Sequence, residues 1–120
     1  MSVVTNFFNE LLPNAMSDNP QSFREIGYQY TFTITGEGGG EWYVNASNSG
    51  PLIRQEDLGE FDCHITMTAR QCQQCCQNPN NFMVLIVNKE VKLSSNQSET
   101  TRILTGVLRI FGLGIPFGIG

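Results

Sequence analysis

Tyr28-Gln29-Tyr30-Thr31-Phe32-Thr33-Ile34-Thr35 is the stretch on which the fold turns. Successive side chains of a strand point to opposite faces. Strict alternation therefore puts Tyr28, Tyr30, Phe32 and Ile34 on one face and Gln29, Thr31, Thr33 and Thr35 on the other. Gly36-Glu37-Gly38-Gly39-Gly40 follows, and then Trp42, Val44 and Ala46 alternate with Tyr43 and Asn45. Two alternating segments joined by a glycine loop make a hairpin.

Working outward, Pro51–Gln55 reads as a third strand and Phe61–Thr68 as a fourth, with Phe61, Cys63, Ile65 and Met67 sharing a face opposite Asp62, His64 and Thr66. Thr68 caps a short helix from Ala69 to about Gln77, which Asn78-Pro79 ends. Phe82–Val87 is ambiguous: its β-branched content favours a strand, its place between turns a short buried helix. Lys89–Ser94 alternates Val91 and Leu93 with Glu90 and Lys92 as a fifth strand. At the start of the chain Val3, Val4, Phe7, Phe8, Leu11 and Leu12 form one helical face that Pro13 closes, and Asn19-Pro20 opens a second short helix. Ile103, Leu104, Val107, Leu108 and Phe111 form a last helical stripe. Residues 1–112 then make one α+β domain, a largely antiparallel sheet covered by helices, and 113–120 an apolar, glycine-rich tail suited to a lid or a membrane-touching segment.

Composition narrows the function. The chain has 120 residues, a charged fraction of 15% and a hydrophobic fraction of 40%, so it can bury a single core and is not a disordered segment. Its net charge of −4 argues against a nucleic-acid module, which ordinarily carries a basic face. That charge is uneven: nine acids against two arginines give −7 over residues 1–62, and five basic residues against two acids give +3 over 63–120. An anionic surface would meet the C-terminal half. No apolar run approaches the ~18 residues of a spanning helix, and Met1–Asn6 has no leader pattern. Four cysteines in such a chain read as free thiols, and the expected location is the cytoplasm.

Catalytic chemistry finds little support. The glycines at 36 and 38–40 precede a strand rather than a helix, and Glu37 and Glu41 would repel a phosphate, so they read as a hairpin loop. Cys72, Cys75 and Cys76 fall at i, i+3, i+4 on one face of a helix that carries nothing else apolar between Arg70 and Gln77. That makes them a buried face, with a redox or metal role as the alternatives. His64 points away from Cys63 along the strand, so the two cannot form a nucleophile pair, and His64 reads as a surface residue. No catalytic residue, metal ligand or cofactor is expected. What stands out is the quantity of apolar and aromatic material on one sheet face, two helices and the tail. It can be plain core, or the wall of a cavity for a lipid-like ligand.

The hairpin Tyr28–Val44 and the segment Phe61-Asp62-Cys63-His64-Ile65-Thr66-Met67-Thr68 resemble the opening hairpin and a later strand of sterol-carrier-protein type 2 domains, and the resemblance covers roughly residues 3–112. It implies a five-stranded sheet with helices packed over it, enclosing a hydrophobic tunnel for fatty acyl chains, sterols or other lipids, and no catalytic residues. It also implies a helix at Phe82–Val87. Cys72, Cys75 and Cys76 stand where such domains carry apolar residues, Lys89 and Ser95 where glycine is common. Glu10 without a basic residue on the first helix argues against docking through that helix, and Phe117-Gly118-Ile119-Gly120 is not a peroxisomal signal.

The expected function is non-catalytic binding or transfer of a fatty acyl, sterol-like or isoprenoid lipid. The alternative is an accessory subunit that presents a hydrophobic intermediate to a partner enzyme. Phe32, Ile34, Trp42, Val44, Ile65, Met67, Phe82, Leu85, Ile103, Val107, Leu108, Phe111 and Phe117 are the candidate cavity residues. The expected partners are a hydrophobic small molecule, transient membrane contact through the C-terminal half and a partner enzyme, with no nucleic acid.

Overall fold

The structure, a computed structural model, describes residues 2–56, 61–95 and 100–114. The Tyr28–Thr35 alternation is realised as β1 (Tyr28–Thr35), the middle strand of a five-stranded sheet. β2 (Gly40–Ala46) pairs with it antiparallel, Phe32 opposite Trp42 and Tyr30 opposite Val44. The loop between them turns at Gly36 and Gly38, whose φ of 92° and 80° suit a residue without Cβ. β3 (Leu52–Arg54) adds to β2 as a short edge strand. β4 (Cys63–Thr68) returns to the other side of β1 and pairs with it parallel, Phe32 opposite Ile65. β5 (Lys92–Ser95) closes that side antiparallel, so the order is β3-β2-β1-β4-β5 and one pairing in four is parallel.

The helices pack on the face that carries Tyr30, Phe32 and Trp42. α1 (Val3–Asn6) is capped by the Ser2 hydroxyl, which accepts from the Thr5 N–H. It continues through a π-helical turn (Phe7–Leu11) into α2 (Leu12–Asp18), and α3 (Pro20–Arg24) follows. α4 (Ala69–Gln77) begins in a full capping box: Thr68 accepts from the Gln71 N–H while the Gln71 side chain accepts from the Thr68 N–H. α5 (Asn81–Val87) and α6 (Thr100–Gly114) complete the layer. Tyr30 on β1 donates its hydroxyl to the Ile103 carbonyl of α6 at 2.9 Å, which ties the centre of the sheet to the last helix.

Several expectations need correction. Pro13 does not close the first helix. Leu12 N–H reaches back five residues to the Phe7 carbonyl, and Pro13 then sits in the first turn of α2, where its missing donor and ring are tolerated. Phe61 does not share a face with Cys63. The strand starts only at Cys63, because Asp62 is bonded to Gln29 through both its N–H and its carboxylate, and Phe61 turns outward against His64. β5 starts at Lys92, after a turn in which Lys89 has a φ of 60°. α6 runs to Gly114, and Leu113, expected to begin the tail, packs against the core. The rest of the tail, 115–120, lies outside the described residues.

Phe82–Val87 is helical despite its β-branched residues. Phe82 and Leu85, three apart, are its buried positions, while Val84 and Val87 are exposed. Tertiary burial of one face overrides the local propensity.

Lys89 and Gly106 each give a prediction. A left-handed backbone costs a Cβ-bearing residue about 1–2 kcal/mol, so Lys89→Gly should raise stability by about 0.5–1 kcal/mol in urea unfolding once glycine's entropy is counted. A Cβ at Gly106 would collide with the Tyr30 hydroxyl and Ile26. Gly106→Ala should therefore destabilise by about 1–3 kcal/mol, although alanine is the better helix former.

Candidate functional site

The interior between sheet and helices is the candidate site, and aromatic rings dominate it. Phe8 of the π-helical turn stacks on Trp42 of β2 at 4.5 Å and 12°. Phe7, one residue earlier, stacks on Phe111 of α6 at 5.2 Å and 21°. Phe32 at the centre of the sheet meets Phe8 at 5.3 Å and Phe111 edge-on at 6.1 Å. Offset and edge-on pairs at these distances contribute about 0.5–1.5 kcal/mol each beyond their burial. Trp42 also donates its indole N–H to Asn9 Oδ1 at 2.9 Å, so its one polar atom is satisfied inside an apolar wall.

Of the candidate cavity residues, Phe32, Ile34, Trp42, Val44, Ile65, Met67, Phe82, Leu85, Ile103, Val107 and Phe111 are buried in one continuous cluster, and Leu108 packs against its margin. Phe117 lies outside the described residues. Phe7, Phe8 and Ile110 belong to the same cluster in addition to the candidate cavity residues. The signal for Ile110 was in the sequence: 103, 107 and 110 repeat at i, i+4, i+7, and that stripe is centred one position away from Leu104 and Leu108.

The thiols occupy the positions expected of core residues. Cys63, Cys72 and Cys75 are buried and Cys76 is half-buried, all four unpaired. Burial pushes the Cys75 thiol up to about 12, helped by Cys76. Burial likewise pushes Cys63 up to about 12, helped by Asp62. Cys72 is raised further, first by its hydrogen bond with Cys76 and then by burial. Nucleophilic and metal-binding cysteines act as thiolates, and these three are held as thiols.

The other face of the sheet carries the polar half of the alternation. Tyr43 donates to Glu41, and Thr33 donates to Glu41 at 2.9 Å while meeting His64 Nε2 at 2.8 Å. Thr33 has one hydroxyl proton and gives it to Glu41, so His64 is the donor in its bond to Thr33. The Tyr43 and Thr33 bonds hold the Glu41 carboxyl below the ordinary range. Between Tyr43 and His64 lies Thr31, whose buried hydroxyl has no partner.

Grooves open between the elements of the described surface. One, about 600 Å³, runs between α4 and α5 past Arg70, Gln74, Gln77 and Glu90 and is mostly polar. Two others, of about 370 and 320 Å³, adjoin along β3 and share Pro13 and Ile53. A further one, about 160 Å³, lies between Ile26 and the Arg102–Arg109 side of α6. Arg109 is tied down there by donating to the Ser22 carbonyl at 3.1 Å. No helix of the described residues is long and apolar enough to cross a membrane.

A family model described as the SCP-2 sterol transfer family matches residues 8–109. Among solved structures, the sterol carrier protein domain 2 of Helicoverpa armigera superposes with a TM-score of 0.67 at 14% identity, over 88% of this chain and 86% of that one. Sterol carrier protein 2 from Yarrowia lipolytica in its apo form gives 0.60 at 18% identity, over 88% and 83%. Palmitated SCP2L2 from Aedes aegypti gives 0.60 at 13% identity, over 89% and 95%. At these identities the structures share the fold. No curated protein matches the sequence.

The thiols make the alkaline limb of stability predictable. Their folded pKa lies above the unfolded value of about 8.5. The stabilisation is therefore complete below pH ~8.5 and is lost as pH rises towards 12. The urea midpoint should be level from pH 6 to 8 and fall above pH ~9. A thiol reagent at pH 8 should modify Cys76 first and reach Cys63, Cys72 and Cys75 only on unfolding.

Proposed function

The chain belongs to the SCP-2 sterol transfer family, and from that premise we propose that it binds and carries a single-chain or isoprenoid lipid in the interior between sheet and helices, without catalysing a reaction on it. One observation carries this reading. The apolar surplus lies inside, where Phe7, Phe8, Phe32, Trp42 and Phe111 join both layers through ring contacts. These rings offer a ligand apolar contact. Rings on separate elements can part by rotation and accept an acyl chain in place of one another. The likeness to a structure described as palmitated supports a fatty acyl ligand. Phe32, Trp42, Ile65, Val107 and Phe111 are the residues we assign to the ligand wall.

Carrier is preferred to accessory subunit because the described surface has few large apolar side chains to present. Val3, Phe61, Val84 and Val87 are the exposed ones. Val84 and Val87 share α5 and are followed by Lys89, and this apolar-basic edge is the surface we assign to transient contact with an anionic membrane. The unpaired cysteines favour a reducing compartment such as the cytoplasm.

Purified protein should take up a fluorescent fatty acid and release it to unlabelled palmitate. A ligand that binds only the folded chain stabilises it by about 2.7 kcal/mol at one hundred times its Kd, so palmitate should raise the melting temperature. Phe111→Ala should cost about 3–5 kcal/mol through the cavity it leaves, and palmitate should restore part of that loss. Protein that takes up no fatty acid and does not shift its melting temperature would refute the carrier reading. Val84→Glu with Val87→Glu should reduce co-sedimentation with anionic vesicles and leave uptake from detergent-free solution unchanged.

A further inference from the structure

The two grooves that adjoin along β3 differ from the others in what lies at their floor. One is lined by Pro13, Met16, Pro20, Pro51, Leu52 and Ile53, with Ser17 its one hydroxyl. The other continues from Pro13 and Ile53 to Phe8 and Trp42, with Arg54, Gln55 and Glu56 at its outer end. Their volumes of about 370 and 320 Å³ each reach the size of a small-molecule site, about 300–1,000 Å³. Phe8 and Trp42 are also the stacked pair of the interior. The groove and the aromatic core are therefore separated by two rings.

The lining specifies the occupant. Three prolines contribute no backbone donor, and the Asn9 amide oxygen is already engaged by the Trp42 indole. A peptide adding to β3 would find an edge of only three residues, too short to hold a strand. A flexible hydrocarbon chain needs no hydrogen bonds, and the polar outer end beside Arg54, Gln55 and Glu56 leaves its headgroup in water.

The wall on the helix side is built to move. The π-helical turn Phe7–Leu11 interrupts the regular ladder, and Pro13 donates no bond to it. Phe8 and Asn9 both lie in that turn, so one bend displaces the ring and its neighbouring latch together.

We propose that the groove between α2 and β3 is the port through which the apolar chain of an amphiphile reaches the interior, with Phe8 and Trp42 as its inner gate and Asn9 as the latch on Trp42. The proposal rests on the carrier reading above and adds where the chain passes and which residues govern the rate.

Trp42 is the sole tryptophan of the chain, so the gate reports on itself. Dibromostearate, whose bromines quench indole on contact, should halve Trp42 emission or more at saturation, and stearate should not. In stopped-flow experiments Ile53→Phe, which narrows the shared part of the two grooves, should slow dibromostearate uptake about tenfold. Leu52→Glu, on the half-buried edge strand, should slow it as well and carries the test if Ile53→Phe does not fold. Asn9→Leu, which releases the indole, should speed uptake about threefold. Thr105→Phe, in the groove beside α6, should leave the rate unchanged. Fatty acid bound by native mass spectrometry with Trp42 unquenched, or with uptake slowed by Thr105→Phe and not by Ile53→Phe or Leu52→Glu, would overturn the port and leave the carrier standing. No fatty acid bound by any measure would overturn both.

Discussion

Every layer of this protein is organised by the apolar face of β1. The strand is paired on both edges, antiparallel to β2 and parallel to β4, so its backbone is saturated and its side chains decide what happens next. Tyr30 and Phe32 point into the helical layer, one binding the Ile103 carbonyl and the other lying between Phe8 and Phe111. Burial strengthens the grip of the first: the Tyr30 phenol is driven far above its ordinary range by desolvation and by Cys63, Tyr28 and Asp62, so it stays a donor. Gly106 leaves room for that hydroxyl against α6. A residue with no side chain on the helix and a ring with a polar tip on the sheet are two halves of one contact.

The same face explains how the interior is held together. Aromatic pairs contribute modest energies and tolerate several geometries, and here they join the first helical segment, the sheet and the last helix. Two polar contacts add direction to this apolar packing: the Tyr30 hydroxyl on α6 and the Trp42 indole on Asn9. The first anchors the sheet to the long helix. The second anchors it to a π-helical turn, where the backbone is already irregular. The two polar contacts thus fall on different helical segments.

Much of the architecture was legible because it follows from local periodicity. Alternation marked β1, β2 and β4, and Thr68 marked the start of α4 through a cap that needs only the following turn. The i, i+3, i+4 spacing of Cys72, Cys75 and Cys76 identified the inner face of that helix; burial raises the Cys75 thiol, and the hydrogen bond with Cys76 followed by burial raises Cys72. Where periodicity misled, a longer-range contact was responsible. Phe61 leaves the alternation because Asp62 is held by Gln29, 33 residues away. Pro13 fails to stop a helix because the ladder has already shifted register before it. Lys89 sits in a left-handed turn that its side chain gives no sign of, and Phe82–Val87 stayed ambiguous between strand and helix until the family resemblance favoured the helix.

The sequence by itself determined most of the inward-facing positions and the α+β class, because side-chain period and turn chemistry act over a few residues, and its hairpin and fourth strand carried the resemblance to the family. It also determined that the chain is poor in charge and rich in rings, and hence that apolar contact is its main resource. The tertiary structure alone decided which rings meet, that Asn9 holds Trp42, and that Pro13 and Ile53 come together beside Phe8 and Trp42. Those partners lie 33 and 40 residues apart, and their approach depends on β3 pairing with β2 beneath α2. No periodicity encodes the width of a groove between two such elements; packing does.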